Sequence, residues 1–431
     1  MQWSHHRRTA QSLVAAVVLS LTLNAPALAQ GQPRCAADPE AAARSYNYIL
    51  GTQAIGGHYQ HGTGNRLLEQ AQQVKGMGSN LLKVSLARAA APNYGSVEAA
   101  RKAKTTLEYV QASPELQQAL DMDFTLYQAW VHSFTDANWR DGVSIAEARL
   151  YYEEIYALTA WLLKRYSGTG KVFMLGNWEG DWLLLGGQKR EADPSPTAVE
   201  GMVAWMKIRQ LAIDNARAAV AHKDVAVYHY IEVNLVKKAM AGRASIALSV
   251  LPEANPDLVS YSAYEAIKQS PEPDLTSIRQ PLEQTLAYLE AQLPPKKGLP
   301  FKRRVFIGEY GYHADKSKPL TVKQQYMKSR FVMESAVALD LPFALIWQMY
   351  NNEYAKNGTS KEMSLIDESG RKRALYALHQ TYLAEMQAFV AQSCRKTGTL
   401  PAREAFRARA LEVLKAADFE KMEARAQSAA E

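Results

Sequence analysis

Long apolar segments are almost absent from this sequence. After the first thirty or so residues, no segment is apolar enough to anchor the chain in a bilayer. There is also no Pro-, Ser- or Gly-rich linker, no low-complexity tract and no short-period repeat, which favours one large domain over two. A nucleotide-binding glycine loop is missing, and the absence of a G-x-S-x-G motif disfavours a serine hydrolase.

The sequence also lacks one dense cluster of basic residues. The net charge is +7, and it falls to +5 if residues 1–29 are removed, because they contain Arg7 and Arg8 and no acidic residue. The remaining Lys and Arg clusters, at 296–297, 302–304 and 371–373, are separate from one another. Nucleic-acid binding would require one basic stripe with interleaved aromatic residues. We therefore expect no nucleic-acid partner, while a polyanionic substrate stays open.

The beginning of the chain has the pattern of a signal peptide. Basic residues precede an apolar run at 13–23, and Ala27-Leu28-Ala29 has the small-residue spacing of a cleavage site. The run is too short for a membrane span and is soon broken by Asn24 and Pro26. The sequence therefore predicts a signal peptide at 1–29 and an exported protein, periplasmic or secreted, with no stable membrane anchor.

Eight apolar segments alternate with segments of helical period near 3.6, as in βαβ units. Helical signals include Ser195-Pro196, which opens a helix reaching about residue 222, and Asp274, which precedes another. The pattern predicts an α/β fold, a (β/α)8 TIM barrel with elaborated loops over 30–399, followed at 400–431 by an amphipathic helix that is packed on the barrel or mobile. The predicted strands are 49–56, 80–86, 124–131, 172–177, 225–233, 258–264, 304–309 and 343–348.

The sequence contains only two cysteines, Cys35 and Cys394, which lie before the first predicted strand and after the last predicted helix of the barrel. Both are therefore expected at the bottom of the barrel, away from the active site. In an oxidising compartment a disulfide between them is favoured, and two unpaired thiols are the alternative.

Carboxylates follow two of the predicted strands at the end where barrel enzymes place their chemistry. Glu309 ends strand seven, and strand four is followed by Glu179 and Asp181. Glycoside cleavage needs one carboxylic acid and one carboxylate, which retaining enzymes hold about 5 Å apart. Glu309 and Glu179 are the predicted pair, with Asp181 as the alternative acid. The structural alternative for Glu309 is an ion pair with a basic residue.

Several motifs together resemble one superfamily. They are Asn177 and Glu179 after strand four, Glu309 within Ile-Gly-Glu-Tyr-Gly, Trp347 in strand eight, and the segment 365–378 that leads into the last barrel helix. In order and position they look like the clan A retaining glycoside hydrolases, over most of the chain after the signal peptide.

This resemblance implies a role for each of these residues. Glu179 would be the acid/base and Glu309 the nucleophile. Asn177 would hold the 2-hydroxyl of the sugar, and Trp347 would form the floor of the subsite for the reacting sugar. No metal or organic cofactor is implied.

The sequence departs from the pattern of the clan at two places. Trp178 separates Asn177 from Glu179, whereas the clan has the two adjacent; in a regular strand, residues two apart would still face the same way. Strand two has no arginine beside the nucleophile, and either Lys83 or Arg88 is a candidate to replace it.

Further polar and aromatic residues follow other strands and are candidates for binding a carbohydrate substrate. His58 and His61 have the spacing of a metal pair but no evident third ligand, so hydrogen bonding to sugar is the favoured use of His58. Tyr261 and Tyr264 lie toward the end of strand six, where a hydroxyl could hold the nucleophile. The predicted sugar-binding residues are Asn177, His58, Trp130, His132, Trp178, Glu232, Tyr264 and Trp347.

The sequence as a whole predicts an exported retaining glycoside hydrolase acting on a poly- or oligosaccharide. Two alternatives stay open. A polysaccharide lyase would use residues such as Tyr264 and His132, and a catalytically inactive barrel would bind glycans through its aromatic residues.

Overall fold

The computed structural model describes residues 34–35, 38–135, 137–267, 274–314 and 320–428. The predicted signal peptide at 1–29 lies outside these residues. No helix in the described part of the chain combines the length and apolar character needed to cross a membrane.

Eight parallel strands form one sheet in the order β1-β8-β7-β6-β5-β4-β3-β2. The sheet closes where Gln53 bridges Lys83 and the Ala54 N–H donates to the Lys83 carbonyl at 2.9 Å. The predicted TIM barrel is therefore confirmed. The strands are β1 Leu50–Thr52, β2 Leu81–Ser85, β3 Leu126–Trp130, β4 Lys171–Gly176, β5 Val225–Val233, β6 Leu258–Ser262, β7 Val305–Tyr310 and β8 Ala344–Ile346.

The barrel strands are buried on both faces. Every residue of β2, β3, β6 and β7 is buried, which explains why parallel strands of this kind appear as nearly continuous apolar runs in a sequence. Six of the eight predicted strands were too long at their carboxyl ends, whereas β5 ends as predicted and β7 ends one residue later. After β8, for example, the peptide Trp347–Gln348 is cis, and the Gln348 N–H donates to the Met363 carbonyl of the following loop instead of continuing the barrel ladder.

Helices and helical turns follow each strand and cover the outside of the barrel. Two predicted helix starts are confirmed by their caps: Ser195 Oγ accepts the Ala198 N–H at 3.1 Å, and the Asp274 carboxylate accepts the Ser277 N–H at 2.7 Å. The helices are α1 Pro39–Ser45, α2 Arg66–Gly76, α3 Ala91–Tyr94, α4 Val97–Lys102, α5 Thr106–Ala112, α6 Pro114–Asp121, α7 Ile145–Arg165, α8 Gly180–Leu185, α9 Pro196–Ala219, α10 Val236–Met240, α11 Leu251–Ala254, α12 Tyr264–Ile267, α13 Leu275–Ala291, α14 Val322–Ala338, α15 Ala374–Thr397, α16 Arg403–Ala416 and α17 Phe419–Ser428, with a 3-10 turn at Arg88–Ala90 and a π turn at Ile246–Val250.

The C-terminal segment forms two helices, α16 and α17, where the sequence predicts one. The chain turns at Ala417, which is extended, and Asp418 then caps α17 by accepting the Lys421 N–H at 2.8 Å. Both helices pack on the barrel: Phe406 lies 4.9 Å from the Tyr46 ring and Phe419 lies 5.5 Å from the Tyr326 ring, between centroids. Of the two arrangements that the sequence left open, the structure has the packed one.

A disulfide joins Cys35 to Cys394, as predicted. Around it the N-terminal segment runs antiparallel to the chain after α15: Arg34 bridges Thr399, and the Cys35 N–H donates to the Gly398 carbonyl at 2.9 Å. Because helices of such a barrel run back from the mouth, this junction lies at the bottom face.

Removing this disulfide should destabilise the fold. The bond joins residues 359 apart in sequence, and restricting so long a loop in the unfolded chain contributes about 6 kcal/mol in the chain-entropy model. We expect Cys35→Ser/Cys394→Ser to unfold at lower urea concentration than the native chain, measured by circular dichroism. Reductant should lower the midpoint of the native chain and leave that of the variant unchanged; equal midpoints in all samples would contradict the expectation.

Candidate active site

Four charged side chains lie at the carboxyl end of the barrel, where its strands open into loops. Lys83 is in β2, Glu232 is the penultimate residue of β5, and Glu309 is the penultimate residue of β7. Glu179 follows β4 and directly precedes α8. The closed parallel sheet brings these residues together although they are distant in sequence.

Glu309 is buried, with only 3% of its surface exposed. The Lys83 Nζ lies 3.7 Å from its Oε1, and the Tyr264 hydroxyl donates a long hydrogen bond of 3.5 Å to its Oε2. Burial, and next the charge of Glu232, raise the pKa of Glu309 well above its ordinary value, whereas Lys83 opposes this rise. The ion pair considered from sequence is thus present, and it involves a residue of the barrel interior.

Lys83 is the cation of the site, and Arg88 is not. Lys83 is completely buried; its Nζ donates to the Gly308 carbonyl at 3.1 Å and to Glu232 Oε2 at 3.4 Å. It also lies 4.6 Å from the centroid of the Trp130 ring. The Arg88 guanidinium instead stacks on Phe134 and donates to loop carbonyls.

Glu232 lies behind the mouth of the barrel and does not face it. Its side chain has no exposed surface, and both oxygens are bonded. Oε1 accepts the Glu179 N–H at 3.0 Å, and Oε2 accepts the Ser260 hydroxyl at 2.7 Å and the Lys83 ammonium. The structure therefore places Glu232, a predicted sugar-binding residue, where both of its carboxylate oxygens are already bonded to protein groups.

Glu179 has a different environment from Glu309. It is half-buried, and its Oε1 accepts the Ser262 hydroxyl at 2.7 Å. Burial, and to a lesser extent the charge of Glu232, raise the pKa of Glu179 to about 7, against the hydrogen bonds from Ser262 and Trp182. It is therefore a carboxylic acid that can give up its proton near neutral pH.

Asp181 holds a loop together and is not placed to act as the acid. It is 1% exposed, and its oxygens accept the backbone N–H groups of Asn234 at 2.9 Å, Leu235 at 3.0 Å and Ile246 at 2.9 Å. Because all of these donors belong to the connection after β5, the carboxylate fastens that connection to the start of α8. The structure thus disfavours the alternative that the sequence left open.

Asn177 also connects β4 to β5. β4 ends at Gly176, so Asn177 and Glu179 are not residues of one regular strand, and the regular geometry under which they would face the same way is absent. The completely buried Asn177 side chain accepts the Glu232 N–H and donates to the Glu232 carbonyl, each at 3.3 Å. These bonds hold the peptide that leads to Glu179.

His132 is tied to the same segment. Its Nε2 lies 3.3 Å from the backbone nitrogen of Trp178 and accepts that N–H. Burial, and next the charge of Arg209, lower the pKa of His132 to about 4, so the ring is neutral and Nδ1 carries the proton. Burial also raises the pKa of Tyr264 well above its ordinary value, which keeps that hydroxyl protonated.

Three tryptophan rings meet beside Lys83, which lies over the ring of Trp130. The Trp130 ring lies 5.9 Å from Trp347 and 6.5 Å from the half-buried Trp178, between centroids. The indole N–H groups of Trp130 and Trp347 have no hydrogen-bond partner within the described residues. Rings with a free N–H can both stack on a sugar face and donate to its hydroxyls.

Two other aromatic side chains lie elsewhere. Trp139, in the loop between β3 and α7, was not among the predicted sugar-binding residues; its ring stacks on Trp205 of α9 at 5.4 Å and belongs to the packing outside the barrel. His58 is exposed at the rim, where its ring stacks on Tyr354 at 5.4 Å. His61 packs against Tyr350, so the two histidines have separate ring partners.

Sequence reasoning missed the two serines of β6 that hold the glutamates. Ser260 bonds Glu232 and Ser262 bonds Glu179. Their spacing was a usable signal, because residues two apart in a strand face the same way, and two serines in an otherwise apolar strand indicate a polar interior. Tyr261 between them is buried in the apolar core on the other face.

No family model matches the chain, and no curated protein matches it. Among solved structures it is similar to a family 5 lichenase from Caldicellulosiruptor sp. F32, with 12% identity over 90% of this chain and 99% of that one and a TM-score of 0.46. It is also similar to a family 39 glycoside hydrolase from Bacteroides cellulosilyticus WH2, with 10% identity over 78% of this chain and 64% of that one and a TM-score of 0.48. A third is the β-glucuronidase of Bacteroides uniformis, with 10% identity and a TM-score of 0.45; the match covers 73% of this chain and only 32% of that protein.

Adding a side chain at Gly308 should disrupt this cluster. A Cβ there would lie 1.7 Å from Ser260 Oγ and 3.1 Å from Glu232 Oε2, so one of the buried groups must move. We expect Gly308→Ala to lower the free energy of unfolding by about 1 to 3 kcal/mol, measured by thermal or urea denaturation. Gly64→Ala is the control, since a Cβ at Gly64 meets nothing within 4 Å; equal stability of the two variants would contradict the crowding.

Proposed function

We propose that this protein is a retaining glycoside hydrolase that cleaves a poly- or oligosaccharide, with Glu309 as nucleophile and Glu179 as acid/base. The observation that carries this proposal is the contrast between the two carboxyl groups. Glu309 has an ammonium beside it, whereas Glu179 is bonded to the Ser262 hydroxyl and has a pKa of about 7. Burial raises the pKa of both groups, but the ammonium opposes this rise at Glu309 and favours its anion, whereas no ion pair to Glu179 is found among the described residues. This contrast favours Glu309 as the anion and Glu179 as the acid, as double displacement requires.

In the first step, a Glu309 oxygen attacks the anomeric carbon as the bond to the leaving oxygen breaks. Glu179 gives its proton to that oxygen, and a glycosyl ester forms on Glu309. The ammonium of Lys83 favours the ionised form of Glu309 before attack, and the Tyr264 hydroxyl can donate to it.

In the second step, Glu179 takes a proton from water and the water oxygen attacks the anomeric carbon. The ester bond to Glu309 breaks, so Glu309 becomes a carboxylate again and Glu179 an acid. Two inversions at the same carbon return the original configuration.

The environments of Tyr264 and His132 support hydrolysis over the lyase alternative. A lyase base must remove a proton from the sugar ring, but the raised pKa of Tyr264 keeps its hydroxyl protonated. The Nε2 of His132 already accepts the Trp178 N–H, so the nitrogen left over carries a proton and cannot act as a base. Both residues are placed better as donors than as bases.

Export is part of the proposal. The disulfide between Cys35 and Cys394 is typical of proteins that fold in an oxidising compartment, such as the periplasm or the extracellular medium. The substrate would then be a glycan that the protein meets outside the cytoplasm.

Replacing each carboxyl group should separate the two roles. On a panel of plant, fungal and bacterial polysaccharides, Glu309→Gln should reduce turnover to background. Glu179→Gln should lower kcat by about 10² to 10⁴-fold on natural glycans. It should lower kcat much less on aryl glycosides, whose leaving groups need no proton.

Asp181→Asn is the comparison variant in this experiment. If Asp181 were the acid, that variant would show the loss that depends on the leaving group, and Glu179→Gln would not. Activity that survives Glu309→Gln would overturn the nucleophile assignment. A product with inverted configuration, detected by NMR during the reaction, would overturn the double-displacement mechanism.

The pH dependence of kcat/KM should be bell-shaped. Glu179 acts in its protonated form, so activity should fall as the pH rises through about 7. Glu309 acts as an anion, and its raised pKa should place the acid limb above the pH expected of an ordinary glutamate. Rates measured at constant ionic strength would test this. Glu179→Gln, assayed on an aryl glycoside, should lack the alkaline limb, and a limb that persists there would assign it to another group.

A further inference from the structure

Glu232 contacts both halves of the proposed catalytic pair. Its Oε1 accepts the N–H of Glu179, and its Oε2 bonds the same Lys83 ammonium that lies beside Glu309. Its backbone N–H and carbonyl are both bonded to the Asn177 side chain. Side chain and backbone of Glu232 are therefore both attached to the segment that carries Glu179.

The charges of this cluster do not pair one to one. Lys83 Nζ lies 3.4 Å from Glu232 and 3.7 Å from Glu309, so one buried ammonium is shared by two buried carboxylates. A buried charge without a partner is strongly destabilising. When Glu309 becomes a neutral ester, Lys83 keeps Glu232 as its counter-ion, and no unpaired cation is left under the reacting sugar.

Two glycines make room for Glu232, because a side chain at either position would crowd it. A Cβ at Gly308 would lie 3.1 Å from the Glu232 carboxylate, and a Cβ at Gly180 would lie 2.7 Å from the Glu232 carbonyl oxygen. Ser260 fixes the carboxylate from a third direction. The surroundings of Glu232 are therefore specific for this residue. Ser260 hydrogen-bonds its carboxylate, and Gly308 and Gly180 have no side chains that would displace its carboxylate and its carbonyl.

We propose that Glu232 is a positioning residue that shares Lys83 with Glu309, holds the Glu179 peptide and sets the pH range in which the pair works. This rests on the proposed function for its role in turnover, but the charge sharing itself can be measured without a substrate. The negative charge of Glu232 raises the pKa of both Glu179 and Glu309, and Lys83 lowers that of Glu309.

The direct test is a titration of the glutamate carboxyl carbons by NMR in the full-length protein labelled with ¹³C at the side-chain carboxyl of glutamate. Glu179→Gln and Glu309→Gln assign the two signals. In Glu232→Gln, both should titrate at lower pH, by about one unit or more, because a nearby negative charge has been removed. In Lys83→Met, Glu309 should move the opposite way, to higher pH.

The double variant Lys83→Met/Glu232→Gln keeps the test possible if either single variant fails to fold. It removes both members of the buried ion pair, and such neutral replacements are tolerated better than one unpaired charge. Its Glu309 titration should lie between those of the two single variants. Glu334→Gln is the matched control, because Glu334 is also buried and paired with Arg330, but on α14; it should leave both titrations unchanged.

A purely structural role would give a different result. If Glu232→Gln lowers the unfolding temperature while Glu179 and Glu309 titrate as in the native protein, the proposal is wrong. The proposal is also wrong if the titration of Glu309 shifts further in the double variant than in either single variant. If the shifts appear and no glycan is cleaved, the charge sharing stands and the proposed function fails. If glycans are cleaved, the limbs of the kcat/KM profile should move with the NMR titrations.

Discussion

The buried ammonium of Lys83 is the charge around which the mouth of this barrel is organised. It projects from the middle of β2 into a region without exposed surface, where a cation is stable only with carboxylate and carbonyl partners. These partners come from β5 and β7 on the other side of the barrel. The strands are therefore joined by ionic contacts across the interior as well as by the hydrogen bonds of the sheet and by apolar packing.

Several other features follow from this arrangement. Position 308 favours glycine, because the Ser260 hydroxyl occupies the place of a side chain there. The segment leading to Glu179 is not a free loop: Asn177 and Asp181 bond it to β5 and to the connection after β5. The segment that carries Glu179 is thus bonded directly to β5, and Glu309 is connected to β5 through Lys83. These contacts give the proposed chemistry a rigid frame.

Much of the fold could be predicted from sequence because its main determinants are local. Buried parallel strands require continuous apolar runs, and the caps at Ser195 and Asp274 mark helix starts without reference to the rest of the chain. Strand ends were less predictable. The residues after β8 bond to the loop around Met363, a partner that no local pattern reveals.

For the candidate site, the positions of Glu179 after strand four and of Glu309 at the end of strand seven were visible in the sequence. The burial and the hydrogen-bond partners of each polar group were not visible in the sequence. A sequence indicates that Glu232 lies at the end of one buried strand and that Asp181 follows another. It does not indicate that Glu232 turns inward to Lys83 or that Asp181 accepts three backbone N–H groups. Those contacts depend on how the chain bends once a strand has ended, and on partners many residues away.

The disulfide at the bottom of the barrel has a consequence for the order of events as the protein is made. Cys35 lies among the earliest described residues, and its partner lies 359 positions later, after the last strand and near the end of α15. Its thiol must stay unpaired while every strand of the barrel is synthesised. The disulfide can therefore form only after all eight strands have been synthesised. It cannot direct how the first strands pair with one another.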